Sequence, residues 1–207
     1  MVMKVFIPFK KKPFTQPTRD MCLTTAIKIV IDNQFARNLS LKDINNSCKY
    51  EGKYQYGVGI DNFLEQNLNK MLNKIGIMYH FKENLKIDDL FKLLEEGIYP
   101  IILFPLSKYN EWSEIKGERE VSEDGGTNTH ALIIVGIDKE EEKIKMFDTV
   151  PNKFKNYDDL INIYNEISFV KFLSFWLHEN LIFPTLWFTN IIKRRKSNKE
   201  QNLGKWQ

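Results

Sequence analysis

The chain has 207 residues, of which 43% are hydrophobic and 13% aromatic, enough for one folded domain with a proper core. A formal net charge of +3 is too small to make nucleic acid or an anionic membrane the main partner. No run of about 18 apolar residues offers a membrane span.

In chain order, Met1 to Phe14 holds a short apolar patch followed by Lys10-Lys11-Lys12, the wrong order for a secretory signal, so a soluble, cytoplasmic protein is expected. Val5 to Phe9 reads as a short edge strand that leads into a loop carrying Gln16. Leu23, Ala26, Ile27, Val30 and Ile31 recur at helical spacing and predict a helix from about Cys22 to Gln34, with Thr18 and Asp20 as N-cap residues. Ser40 then caps a short turn of helix with Leu41 and Ile44, and residues 46–59 are polar and tyrosine-dotted, hence loop. A second helix spans Ile60 to Ile75 and ends on Gly76. A short strand follows over Ile77 to Phe81, and a third helix over Ile87 to Leu94 is closed by Gly97.

Pro100 to Phe104 reads as a buried strand of branched residues. From Pro105 to Thr129 the chain is polar, charged and without periodicity. A loop of that length delivering the chain to His130 is expected to border a cleft and help select what enters it. Ala131 to Ile137 carries no polar side chain and predicts a central strand covered on both faces. Lys143 to Asp148 returns as its partner, Phe169 to Leu177 forms an amphipathic helix, and Leu186 to Ile192 a last strand. Lys193-Arg194-Arg195-Lys196 opens a solvated tail.

Four residues on these elements carry chemistry. Cys22 falls in the first turn of its helix, where unpaired N–H groups and the helix dipole favour a thiolate. Gln16, six residues upstream, can donate N–H bonds to an anion forming beside the sulfur. His130 stands at the head of the central strand and Asp148 at the end of its partner. A five-residue turn between them pairs Ile137 with Lys143 and sets Asp148 opposite Leu132. Asp148 then shares a face with His130, with Cβ atoms roughly 7–8 Å apart or less. A four-residue turn puts Asp148 on the wrong face. Thiolate, imidazole and orienting carboxylate together make a nucleophilic triad. Cys48 in a polar loop is read as a bystander, and His80 and His178 lack any paired ligand spacing. Asp138 lies at the far end of the strand from His130. Cys22 and Cys48 give no metal-ligand spacing and no disulfide framework, so no metal or cofactor is implied and a reducing compartment is expected.

Gln16 and Cys22 at a helix start, then His130 heading an apolar strand, then Asp148 on the next strand, resemble papain-like cysteine peptidases, within them the C39-like group. Cys22-Leu23-Thr24-Thr25-Ala26, the run from His130 to Asp138, Phe147-Asp148 and the helix with Trp176 are each similar to that group's pattern. Two positions depart from it: Leu23 stands where glycine is usual, crowding the approach to the sulfur, and Thr129 precedes His130 where glycine is common. The resemblance implies an α+β fold of the papain-like cysteine peptidase type, its N-terminal helical part packed on an antiparallel sheet. One domain over residues 1–192 is expected, followed by a basic polar tail at 193–207.

The implied function is a thiol hydrolase acting on a peptide or isopeptide bond of a peptide or protein substrate, through an acyl-thioester on Cys22. If an amine resolves that intermediate, the same site is an acyltransferase or transglutaminase-like enzyme. A double-glycine leader peptidase is a further version, though the chain lacks the transporter's membrane segment and P-loop. A non-catalytic peptide-binding module on the same fold is the alternative from another class; such modules typically lose the cysteine that is kept here.

Overall fold

A computed structural model describes residues 3–17, 21–48, 67–105, 129–150, 163–178, 181–182 and 184–191. Helix α1, Cys22–Gln34, spans the predicted range and is buried almost all round, not along one stripe: Cys22 to Ile27, Ile29 to Ile31 and Asn33 are all buried. Most polar side chains of a helix enclosed in this way find partners inside the protein, although Thr25 Oγ1 has none among the described residues. Thr24 Oγ1 donates to Asn45 Oδ1, and Asn33 donates to the Ile29 carbonyl while accepting from Lys11 N–H at 2.7 Å. Asn45 belongs to helix α2, Leu41–Ser47, whose Ser40 cap accepts from Asp43 N–H at 3.0 Å as its sequence predicts. Residues 46 to 48, expected in a loop, complete this helix and its C-cap.

Helix α3, Asn69–Asn73, is the described end of the second predicted helix, and Gly76 beyond it takes the left-handed conformation at φ +78°. Next come β2 (Ile77–Lys82), α4 (Ile87–Glu95), β3 (Ile101–Pro105), β4 (Thr129–Asp138), β5 (Lys143–Asp148), β6 (Asn165–Ser168) and α5 (Phe169–Trp176). A small hairpin, β7 (Leu177–His178) with β8 (Leu181–Ile182), precedes β9 (Thr185–Asn190). Of the loop expected over Pro105 to Thr129, residues 106–128 lie outside the described residues, as do Ile192, the tail at 193–207, Thr18 and Asp20.

Among the described residues seven strands form one antiparallel sheet in the order β2-β9-β3-β4-β5-β6. The seventh, β1 (Lys4–Phe6), pairs with the far half of β4, in the lane that β3 fills along its near half. The apolar run of β4 is buried on both sides. Ala131, Ile133 and Val135 join Phe147, Leu186 and Phe188 in the cluster around α1. Leu132, Ile134 and Ile137 join Met146, Leu90, Phe172 and Trp176 on the opposite face. Each fully buried branched or aromatic side chain stabilises the fold by about 1.5–3 kcal/mol. Strand β6 has no counterpart in the sequence reading, because its buried positions are Asn165 and Ile167 and only one of them is apolar.

The β4–β5 connection corrects the expected turn. Asp138 pairs with Lys143, so the turn has four residues, not five. Asp138 tightens it: its Oδ1 accepts from the N–H groups of Glu140 and Glu141 at 3.1 Å, and Glu142 takes φ +49°. On a regular ladder this register would set Asp148 opposite Ile133, on the wrong face. A β-bulge at Val135, between Ile134 and Gly136, absorbs one residue. Beyond it Ile134 pairs with Met146 and Leu132 with Asp148, so the expected juxtaposition is reached by another route.

The bulge is held by the N-terminal segment. Ile7 N–H donates to the carbonyl of Val135 at 2.8 Å. A Cβ on Gly136 would lie 3.0 Å from the Val5 carbonyl oxygen and 3.1 Å from the Phe6 ring, so glycine is what lets β1 close on β4. Gly136→Ala is therefore expected to cost about 1–2 kcal/mol in denaturant unfolding. A variant as stable as the wild type would contradict this packing.

Candidate active site

Cys22 opens α1 after Met21, whose side chain makes no capping bond, and no acidic residue follows in the first turn. The first N–H groups of the helix have no partner in the helix itself, and no carboxylate of its first turn competes for them, an arrangement that favours negative charge there. Leu23, expected to crowd the approach to the sulfur, is packed into the α1 core at 2% exposure.

His130, at the entrance of β4, is buried, and its Nε2 lies 2.9 Å from Asp148 Oδ1. A carboxylate only accepts, so Nε2 carries the hydrogen and the other ring nitrogen is left for the sulfur. Asp148 Oδ1 also accepts from Val150 N–H at 2.9 Å, which fixes the carboxylate against the ring. Burial opposes charge on His130. The Asp148 charge, the hydrogen bond that His130 donates to Asp148, and the hydrogen bond and charge of Cys22 outweigh it, raising the imidazole from 6.5 to about 10. Cys22 belongs to the α1-side cluster, whereas His130 shares the parity of Leu132, which belongs to the cluster on the other face.

Gln16 arrives on the segment that begins with β1, and that segment is tied down at intervals. Phe9 N–H donates to Tyr164 Oη at 2.8 Å, Tyr99 Oη donates to the Pro8 carbonyl at 3.1 Å, and the Phe9 ring packs on Tyr99, Phe147 and Tyr164. At its end Gln16 N–H donates to the carbonyl of Thr149 at 2.8 Å, and Gln16 Oε1 accepts from the Thr149 hydroxyl at 2.8 Å. The structure thus joins His130 to Asp148 and Cys22, and Gln16 to the residue beside Asp148. Thr149 was missed in the sequence, since it lies just past the end of β5 and belongs to no motif.

The other titratable groups have separate partners. Cys48 is buried at the C-cap of α2, not in a polar loop, and burial pushes its thiol up to about 12. His80 lies 2.7 Å from Thr189 Oγ1 and stacks on Trp187. Asp138 pairs with Lys4 at 2.6 Å, at the far end of β4. The side chain of His178 lies outside the described residues. A cleft of about 940 Å³ lined by Gln34, Arg37, His80 and Trp187 lies at the other end of α1 and contains none of the four site residues. Among the described residues no group of His, Cys, Asp and Glu is arranged to hold a metal ion. No helix among them is long and apolar enough to cross a membrane.

An imidazole held between a sulfur and a carboxylate can accept the thiol proton and return it to a leaving group. No protein-family profile matches the chain, and no curated protein matches it. Solved structures do. A candidate C39-like peptidase from Bacillus anthracis superposes with a TM-score of 0.52 at 13% identity, over 89% of this chain and 96% of that one. Xylellain, a cysteine protease from Xylella fastidiosa, is similar with a TM-score of 0.46 at 14% identity, over 89% of this chain and 85% of that one. The chain has a C39-like cysteine peptidase fold, as its sequence resemblance implied.

Proposed function

We propose that this chain is a cysteine hydrolase that cleaves a peptide or isopeptide bond through an acyl-thioester on Cys22. The observation that carries the reading is His130, buried and bonded to Asp148 on one side and to Cys22 on the other. His130 already holds the proton as an imidazolium beside the Cys22 sulfur, and the thiolate adds to the substrate carbonyl carbon. The displaced electron pair goes to oxygen, which accepts from the Cys22 N–H and the Gln16 amide. The imidazolium then protonates the leaving amine, and the C–N bond breaks to leave the thioester. Water, deprotonated by His130, adds to it, and collapse expels the Cys22 thiolate. The C39-like fold supports a peptide or protein substrate. Two free thiols agree with a reducing, cytoplasmic setting. Retention of Cys22, His130 and Asp148 together weighs against a binding module, which needs no proton relay. We assign the domain to residues 1–192 and leave 193–207 as its tail.

Three outcomes test this. Iodoacetamide should label Cys22 well before Cys48, because only Cys22 has a base beside it and burial keeps the Cys48 thiol protonated. Mass spectrometry of limited labelling would contradict the assignment if Cys48 reacted first.

Asp148→Ala should lower turnover by about 10²-fold. Asp148→Asn should be milder, since an amide can still accept from Nε2, and Cys22→Ala should abolish turnover. Equal rates for wild type and Asp148→Ala would remove the carboxylate from the mechanism.

The raised imidazole also makes a stability claim. A group held at about 10 when folded against 6.5 when unfolded binds its proton more tightly in the folded state. Its stabilisation is fully present below about pH 6.5 and lost as pH rises through about 10. The difference in unfolding free energy between wild type and His130→Gln should therefore shrink from pH 6 to pH 10.5, in units set by roughly 1.4 kcal/mol per pH unit. A difference independent of pH would refute the pairing.

A further inference from the structure

Thr149 has no exposed surface, and its carbonyl and its hydroxyl serve one partner. Its carbonyl accepts from Gln16 N–H and its hydroxyl donates to Gln16 Oε1, each at 2.8 Å. Gln16 is therefore gripped at the root of its backbone and at the tip of its side chain by the same residue. The grip has a chemical consequence, because the two ends of an amide oppose each other. Oε1 repels an oxyanion, whereas Nε2 donates to it. A hydroxyl donating to Oε1 holds that end away from the anion. It also polarises the amide, which strengthens the Nε2 hydrogens as donors. A glutamine side chain free to rotate would have to be ordered as the reaction proceeds; one held at both ends is ordered on folding.

We propose that Thr149 is the positioning residue of the oxyanion site, fixing the Gln16 amide with Nε2 turned to the developing charge. Asp148 and Thr149 are consecutive and bond to different partners, so the end of β5 sets the base with its last residue and the oxyanion donor with the residue that follows. This role rests on the reading of Gln16 as an oxyanion donor.

Two reactions at Cys22 separate that role from a structural one, and neither needs the natural substrate. In alkylation by iodoacetamide the sulfur forms a C–S bond as the C–I bond breaks and iodide leaves; no charge develops on oxygen. In acylation by p-nitrophenyl acetate the sulfur adds to the carbonyl carbon and the electron pair moves to oxygen. Collapse of this adduct expels p-nitrophenolate and leaves S-acetyl-Cys22.

Thr149→Val keeps the shape and removes the hydroxyl. It should slow acylation about 10-fold, a part of the about 10²–10³ that loss of a whole oxyanion donor costs, and leave alkylation within about two-fold. Thr149→Ser should restore acylation. The double variant Gln16→Ala/Thr149→Val should acylate no more slowly than Gln16→Ala, since Thr149 acts only through Gln16. Unchanged acylation in Thr149→Val overturns the proposal. So does a parallel fall in both reactions, or a double variant whose losses multiply. A wild-type Cys22 that alkylates readily but is not acylated overturns the proposed hydrolase and this role with it. That result is read on the wild type, before any Thr149 variant is made.

Discussion

The register of the β4–β5 hairpin is the constraint on which the site depends. Side chains alternate across a strand, so a slip of one residue turns every one of them to the other face. The four-residue turn set up by Asp138 would carry Asp148 away from His130, and the bulge at Val135 brings it back. The bulge in turn relies on the N-terminal segment. Ile7 takes the free carbonyl of Val135, and the bare Gly136 lets Val5 and Phe6 approach.

The same segment continues past Phe9, bonded to Tyr164, and past Lys11, bonded to Asn33 on α1, to Gln16. One strap therefore holds the bulge at one end and a proposed oxyanion donor at the other. The proposed chemistry draws on Gln16, Cys22, His130 and Asp148, from four separate parts of the chain. Main-chain bonds and packing bring them together, and no metal ion is asked for. Near-complete burial of α1 contributes rigidity: a helix with ten of its thirteen residues buried has little freedom to move its first turn relative to the sheet.

Much of this was legible in the residues. Helix α1 matches its predicted span because Leu23, Ala26, Ile27, Val30 and Ile31 keep a helical period over its whole length. Strand β4 was visible because both faces of the sheet are covered, which makes its run apolar without interruption. The juxtaposition of His130 with Asp148 followed from parity, but the route was mistaken. A bulge leaves little trace in sequence, and here the only mark was a glycine inside an apolar strand. Strand β6 was hidden because Asn165 occupies one of its buried positions. Cys48 was read into a polar loop by its polar neighbours, whereas it is the buried C-cap of α2. Thr149 carries no motif; its part emerges only when Gln16 is seen to fold back onto it.

The central claim is that His130 bridges Asp148 and Cys22. Nuclear magnetic resonance of the ¹⁵N-labelled imidazole across pH tests it most directly. The account predicts that His130 keeps both ring protons until about pH 10, with a hydrogen-bonded Nε2–H signal that Asp148→Ala removes and a titration that Cys22→Ala moves to lower pH. A His130 that titrates near 6.5 and ignores both substitutions would contradict it.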